Sequence, residues 1–411
     1  MKVRISPSKL KGVVVAQPSK SDAHRKLICA AFAHGDSKID NVVLSDDIKA
    51  TLRCLKAVRC TYEINNSSEF LGRSCIYVKG TGGKVSFNRQ VDCGESGSTL
   101  RFMTMIFAVA GGKTVLTGSG RLPLRPMNGA ISLLSENGIK CSYPGENKFL
   151  PLTIEGELSG GNYKIDSSVT SQYLSGLMMA LPAFSQKGII EATGEFESRG
   201  YVEVTKKNLK TFGVEVRGAN PYEITANNGL IACNCQVDGD WSNASYFLVM
   251  KALGAELTIK GINEDSVQPD SIINKYIEKI IYTDNPIIDV SECPDIMPSL
   301  AVVGAKQKKN VKFIGGRRLR EKESDRIKSV TDGLRNLSVA VLDFDDGLEI
   351  QGSGIVCGGE VDSYNDHRIA MAFSSLCTVA TSDIVINGAE SVAKSYPLFF
   401  EDLKKLGGKI I

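Results

Sequence analysis

The chain has 411 residues, 42% hydrophobic and 23% charged, and a formal charge of +3, the balance of an ordinary globular protein with room for about two or three domains. So small a positive excess excludes a nucleic-acid binder that works through a basic face, and any anion site must be a local gathering of Lys and Arg. The start, MKVRISPSKLKG, lacks a leader's apolar core and no apolar run reaches the length of a membrane span, while eleven cysteines and three histidines read as reduced thiols without a metal centre.

In chain order, VVVAQ at 13–17 reads as a strand, PSKSDAHR at 18–25 as a polar turn and 26–33 as a helix. DCGESGSTLR at 92–101 is a second such turn, leading into Leu100, Phe102, Met103, Ile106 and Phe107. A polar turn that opens a helix offers unpaired N–H groups at the positive end of the dipole, a seat for an anion, though a merely capped helix reads the same way. No Lys-Ser/Thr pair follows the second glycine, which excludes a nucleotide P-loop. The strand at 163–165 runs into DSSVTSQY and LSGLMMALP, and the strand at 235–237 into DGDWSNASY and FLVMKALG. PIIDV then leads to CPDIMPSLAVVGA, and GEVD to YNDHRIAMAFSSL.

The same strand, polar turn and small-residue helix thus occurs six times. The turns begin near Pro18, Gly94, Asp166, Asp238, Cys293 and Tyr364, at spacings of 76, 72, 72, 55 and 71 residues, which is a repeat architecture. A second strand, loop and amphipathic helix follow in each unit, as in 114–138, 189–213 and 311–334. The unit is therefore βαβαβ-like with a trailing strand, and the short fourth interval predicts a unit that has lost its trailing strands.

The turns and the loops before the second helices carry Lys20, Arg25, Arg101, Arg125, Lys322, Arg326, Arg368 and Lys394. Their recurrence at matching places predicts a cationic crevice suited to phosphates and carboxylates. Among them stand Asp295, Glu323 and Asp366. The first two suit proton transfer; Asp366 suits a cap or an orienter of His367.

Seven ordered motifs carry a family resemblance along essentially the whole chain: PSKSxxxR at 18–25, CGxSGSTxR at 93–101, LPLRPM at 122–127, SVTSQY at 168–173, LREKESDRI at 319–327, YNDHRIAM at 364–371 and KSYP at 394–397. The chain resembles the 5-enolpyruvylshikimate-3-phosphate synthases. That resemblance implies an α/β fold of two lobes, an inside-out α/β barrel of six βαβαββ-type repeats, three per lobe, with the fourth shortened. Residues 19–238 would form the N-terminal lobe, and 1–18 with 239–411 the C-terminal lobe.

The resemblance also implies transfer of the enolpyruvyl group from phosphoenolpyruvate to shikimate 3-phosphate, the glyphosate-sensitive step of the shikimate pathway, with no cofactor, nucleic acid or membrane, in a cytoplasmic monomer. Lys20, Ser21, Arg25, Thr170, Ser171, Gln172, Ser198, Tyr201, Asp295 and Lys322 would hold shikimate 3-phosphate. Lys20, Gly97, Arg101, Arg125, Gln172, Arg326, Arg368 and Lys394 would hold phosphoenolpyruvate. Asp295, helped by Lys20, would take the proton of the 5-hydroxyl, and Glu323, with Lys394, would protonate the methylene.

Glu95 and Arg318 depart from the commoner family pattern. Glu95 is expected to pair with a cation such as Lys20 or Arg125, or to cap its helix; the fourth repeat is expected to affect shape more than chemistry. Two alternatives stand beside this reading. One is a UDP-N-acetylglucosamine enolpyruvyl transferase, which usually has a reactive Cys in the loop matching 118–126, where this chain has none. The other is an inactive anion-binding relative.

Overall fold

Helices made of small and apolar residues on every side have no face to offer water and must be buried. Six helices are buried in this way, the first and last of them together with charged residues of their first turns: Lys20–Phe32, Gly97–Ala110, Gln172–Ala183, Trp241–Ala252, Met297–Ala305 and His367–Ser374. Each is the first helix of one predicted repeat. A computed structural model of the chain describes residues 1–67, 72–85, 88–145, 147–194, 199–225 and 228–411. The chain divides into two compact units, Met1–Gln17 with Gly239–Ile411, and Pro18–Asp238. Each has its own hydrophobic core.

Three repeats show the same sheet. In one, the spatial order is Asn88–Asp92, Lys113–Thr117, Leu152–Glu155, Lys140–Ser142, with the first pair parallel and the others antiparallel. The order recurs in Gly161–Asp166, Gly188–Thr193, Tyr222–Thr225, Glu215–Arg217. It recurs again in Ile287–Asp289, Asn310–Ile314, Gly347–Gln351, Ala340–Phe344. A parallel pair needs a crossover, which the buried helix supplies; the antiparallel strands close by a hairpin. The repeat is βαβαββ, with its buried helix inside and its sheet outside.

The other three repeats borrow strands from distant parts of the chain. Lys11–Val15, which the sequence joins to the first buried helix, pairs in parallel with Glu256–Lys260. Asn234–Gln236, which precedes the fourth buried helix, pairs instead with Asp36–Val43. The local order of strand and helix thus assigns these two strands to the wrong repeats, because the chain passes from one unit to the other between strand and helix. The fourth repeat keeps only the two-stranded sheet of Glu256–Lys260 and Lys11–Val15, as its short interval predicts. In the sixth, the N-terminal Lys2–Ser6 lies between Ile384–Asn387 and Lys409–Ile410.

Within the unit Pro18–Asp238, two of the buried helices pack closely against each other. A Cβ on Gly176 would stand 3.2 Å from the Arg101 carbonyl oxygen, a tight contact that glycine avoids where helix Gln172–Ala183 lies against Gly97–Ala110. Side chains such as Leu100, Phe107, Leu174 and Leu177 are buried at 0–1% exposure, each contributing about 1.5–3 kcal/mol. No helix among the described residues is long and apolar enough to cross a membrane.

Candidate active site

In the unit Pro18–Asp238, Ser19 caps helix Lys20–Phe32 by accepting the Asp22 N–H at 3.4 Å. The helix therefore starts six residues earlier than expected, and Lys20, Ser21 and Arg25 project from its first two turns rather than from a loop. Their polarity hid the helical period, since a first turn at a site carries no apolar stripe. Lys20 Nζ is 2.7 Å from the Asp47 carboxylate. Arg25 is buried, with its Cζ 4.9 Å from the centre of the Phe102 ring. It donates through Nε to Thr205 Oγ1 (2.7 Å), Nη1 to the Ser21 carbonyl (2.7 Å), and Nη2 to the Tyr201 carbonyl (3.2 Å) and Ser175 Oγ (3.4 Å). Burial, partly offset by Asp22, lowers the Arg25 pKa to about 10.

The turn before helix Gly97–Ala110 is built around Ser96, whose Oγ accepts the Thr99 N–H at 3.2 Å. The cap is thus Ser96 and not Glu95; the Glu95 carboxyl lies against Gly120, where a Cβ would stand 2.5 Å from its Cδ. The Arg125 guanidinium lies over Gly97, and a Cβ there would stand 2.5 Å from Nη1. Arg101 Nη1 donates to Gln172 Oε1 (2.9 Å) and Nη2 to the Pro126 carbonyl (3.4 Å), while Gln172 Nε2 donates to Ser98 Oγ (2.9 Å). Thr170 Oγ1 accepts the Gln172 N–H at 3.2 Å. Ser171 stands at the start of helix Gln172–Ala183 without using its hydroxyl as a cap. Ser198 lies outside the described residues. One neighbourhood therefore holds Gly97, Arg101, Arg125 and Gln172, and another holds Ser21, Arg25 and Tyr201.

In the unit Met1–Gln17 with Gly239–Ile411, the predicted residues meet in one charged cluster. Arg326, 1% exposed, donates Nε to Asp366 Oδ2 (2.8 Å), Nη1 to Asp295 Oδ1 (2.8 Å) and Nη2 to Glu323 Oε2 (2.7 Å). Burial opposes its charge, but Asp366, Glu323 and Asp295 more than offset this and raise its pKa. Arg368 Nη2 donates to Asp295 Oδ2 (2.9 Å), and its Nη1 meets Ser242 Oγ. Lys322 Nζ lies 3.7 Å from Asp295 Oδ1.

Burial alone would raise the Asp295 pKa, yet Arg368, Lys322 and Arg326 outweigh it and hold the carboxyl well below the usual carboxylate range. Burial, helped by Arg326 and opposed by Asp295, lowers Lys322 to about 8. Asp366 caps its helix through the Arg368 N–H at 2.9 Å as well as holding Arg326. Tyr364 and Asn365 both take left-handed φ values, 52° and 57°, a strain of about 1–3 kcal/mol each. That turn presents the Asn365 carbonyl, which accepts from Lys394 Nζ at 2.7 Å. Arg318 donates Nη2 to the Ser291 carbonyl at 2.8 Å.

A carboxylate gripped by two guanidiniums and an ammonium in one unit is chemistry for carboxylates, and a glycine turn under a guanidinium in the other unit is chemistry for a phosphate. The family pattern of EPSP synthase (3-phosphoshikimate 1-carboxyvinyltransferase) matches residues 5–403. The chain belongs to the EPSP synthase family. It is 40% identical to the 3-phosphoshikimate 1-carboxyvinyltransferase of Clostridium kluyveri, over 99% of this chain and 98% of that one. To the enzyme of the same name from Clostridium novyi it is 38% identical, with the same shares covered. A solved EPSP synthase from Acinetobacter baumannii shares the fold, with a TM-score of 0.80 and 24% identity over 100% of this chain and 99% of that one.

For this EPSP synthase family member, sequence reasoning missed the groups that stand behind the predicted cations. Asp47 holds Lys20, and its only signal was a carboxylate at the start of an amphipathic helix. Ser242 and the buried Asp270 stand behind Arg368. Burial, Asp295 and Asp240 raise Asp270, against Arg368 and a Ser242 hydrogen bond, to about 7. Both residues come from the shortened fourth repeat. Contrary to the expectation that this repeat mainly affects shape, it builds the rear of the Arg368 site.

Proposed function

We propose that the chain transfers the carboxyvinyl group of phosphoenolpyruvate to the 5-hydroxyl of shikimate 3-phosphate, with release of phosphate, in aromatic amino-acid biosynthesis. The observation that carries the assignment of the site is the grip of Arg326 and Arg368 on the single carboxylate of Asp295. It is the two-fork arrangement that a substrate carboxylate takes. The two substrates bring about six negative charges. Arg326 and Arg368 take the carboxylate of phosphoenolpyruvate; Gly97, Arg125 and Lys394 take its phosphate, with Arg101, Gln172 and Lys20 beside it. Shikimate 3-phosphate is held by Lys20, Ser21 and Arg25 at its carboxylate, by Thr170, Ser171, Gln172, Ser198 and Tyr201 around its phosphate, and by Asp295 and Lys322 at its hydroxyls.

The chemistry follows from these cations and the carboxylates beside them. Once the substrate carboxylate occupies the two arginines, Asp295 is released from part of its positive surroundings and its basicity rises. It takes the proton of the 5-hydroxyl, assisted by Lys20, as the oxygen attacks C2 of phosphoenolpyruvate. Glu323, held 2.7 Å from Arg326 Nη2 and assisted by Lys394, gives a proton to C3, producing a tetrahedral intermediate with a methyl group. Glu323 then recovers one methyl proton, the double bond re-forms, the C2–O bond to phosphate breaks, and the hydroxyl proton leaves with the phosphate. Fixed cations stabilise the charge that develops on the departing group.

We infer a cytoplasmic enzyme that acts as a single chain; the eleven free thiols support a reducing compartment, and a core closed within each unit supports the single chain. A coupled assay tests the reading. Phosphate is released only when both substrates are present; no release excludes an active transferase, and release with UDP-N-acetylglucosamine in place of shikimate 3-phosphate favours the sister reaction.

A further inference from the structure

Beneath the Gly97 turn runs a file of buried polar side chains that none of these roles uses. His24 Nδ1 lies 2.7 Å from Thr51 Oγ1, Thr51 Oγ1 lies 2.7 Å from Thr99 Oγ1, and Thr99 Oγ1 lies 2.8 Å from Ser96 Oγ. His24, Thr51 and Thr99 are fully buried and Ser96 is 1% exposed. The file ends at the cap of helix Gly97–Ala110, where Ser96 Oγ also accepts the Thr99 N–H. It touches a second element of the site as well. Thr99 Oγ1 lies 3.4 Å from the Asp47 carbonyl, and the Asp47 carboxylate holds Lys20.

Each hydroxyl has one proton, so the file has a direction, and the imidazole sets it. His24 Nε2 is buried without a hydrogen-bond partner among the described residues, and the ring meets the Phe102 ring edge-on at 6.4 Å. A proton on Nε2 would leave an orphaned N–H in this apolar surrounding. A proton on Nδ1 leaves only an unused lone pair, the more tolerable defect. Burial, followed by Lys20 and Arg25, holds the imidazole pKa well below its ordinary value, so a single neutral form persists. With Nδ1–H donating to Thr51, Thr51 donates to Thr99 and Thr99 to Ser96. Ser96 Oγ then accepts both Thr99 protons, from oxygen and from nitrogen, and its own proton has no use within the file. The opposite tautomer turns the Thr51 proton to Nδ1, and Thr99 then donates to Thr51 in place of Ser96.

We propose that His24 acts through this file as a positioning residue: with its proton on Nδ1, it orients the hydroxyls of Thr51 and Thr99 toward Ser96 and leaves the Ser96 proton for the anion seated on the Gly97 turn. The proposal rests on reading that turn as the seat of the phosphoenolpyruvate phosphate. It makes Ser96 a charge-assisted donor at a helix N-terminus, where the backbone N–H groups already favour an anion.

Two measurements test it. Nitrogen-15 spectra of the substrate-free protein, with its three histidines distinguished through His34→Gln and His367→Gln, report the His24 tautomer directly. The expected result is a proton on Nδ1 and a bare Nε2, unchanged from about pH 5.5 to about pH 8.5. A proton on Nε2, or a ring that titrates in that range, overturns the proposal. Thr51→Val keeps the shape and breaks the file. It raises the KM for phosphoenolpyruvate about fivefold, the scale of one hydrogen bond, while kcat and the KM for shikimate 3-phosphate hold, and Thr51→Ser restores the wild-type value. An unchanged KM for phosphoenolpyruvate, or an equal rise for both substrates, contradicts the proposal. If the wild type releases no phosphate at all, the functional reading fails, and the tautomer, read without substrate, still decides the role of His24.

Discussion

Asp295 and Arg326 are joined by a 2.8 Å hydrogen bond between Oδ1 and Nη1, and the same guanidinium holds Glu323 at 2.7 Å. One buried cation thus spaces the two carboxylates proposed as the proton carriers. Asp295→Asn and Glu323→Gln keep shape and most hydrogen bonds but remove the proton carrier. Each should cut kcat by roughly 10²–10⁴-fold with near-UV circular dichroism unchanged. Turnover close to wild type in either variant removes that residue from its role.

Arg125 occupies the space that a side chain on Gly97 would take, a Cβ standing 2.5 Å from Nη1 and 2.7 Å from Cζ. Gly97→Ala should push the guanidinium aside and raise the KM for phosphoenolpyruvate, by about tenfold for about 1.4 kcal/mol of lost binding. The KM for shikimate 3-phosphate should change little. Steady-state kinetics at saturating co-substrate measure the split, and equal rises in both constants would place Arg125 elsewhere.

Lys322 should set the alkaline limb of kcat/KM, which reports the free enzyme. Burial first, and Arg326 after it, lower its folded pKa to about 8 against Asp295. The ammonium is therefore lost as pH rises through about 8, and with it a cation beside Asp295. Lys322→Arg, which stays charged, should carry full kcat/KM to higher pH than the wild type. A limb that stays near pH 8 in that variant would belong to another group.

Asp270 offers a stability readout. Its folded pKa is raised to about 7, by burial first and then by Asp295. Between the unfolded carboxyl pKa near 3.9 and about 7 the folded protein holds a proton that the unfolded chain has released. Stability from this group is therefore present at low pH and lost as pH rises through that window. Asp270→Asn removes the dependence. The variant's Tm should rise relative to wild type between about pH 5 and pH 8, as followed by thermal unfolding; a constant difference would mean that Asp270 does not titrate there.

What the sequence disclosed follows from where it is periodic. Six turns near a 72-residue spacing gave the repeats, and the short fourth interval gave the missing strands. Lys11–Val15 and Asn234–Gln236 were misplaced because a strand reads the same whichever sheet receives it, and the pairing partner lies more than 190 residues away in each case. Arg326, Arg368 and Asp295 were legible as charges at equivalent turns. Their supports were not: Ser242, Asp270 and Thr51 belong to no motif of charge or spacing, and only the fold shows what they face. Helix starts were read late at Lys20, since a first turn made of site residues has no apolar stripe.

Addition followed by elimination is the central claim, and hydrogen at C3 of the carboxyvinyl group tests it most directly. In deuterium oxide, with both substrates present, the methylene gains a deuteron to become a methyl group and then loses one of its three hydrogens. Mass spectrometry of the product should therefore show deuterium in the vinyl group, at a rate that falls with Glu323→Gln. A product formed at full rate with no deuterium in its vinyl group would contradict the account.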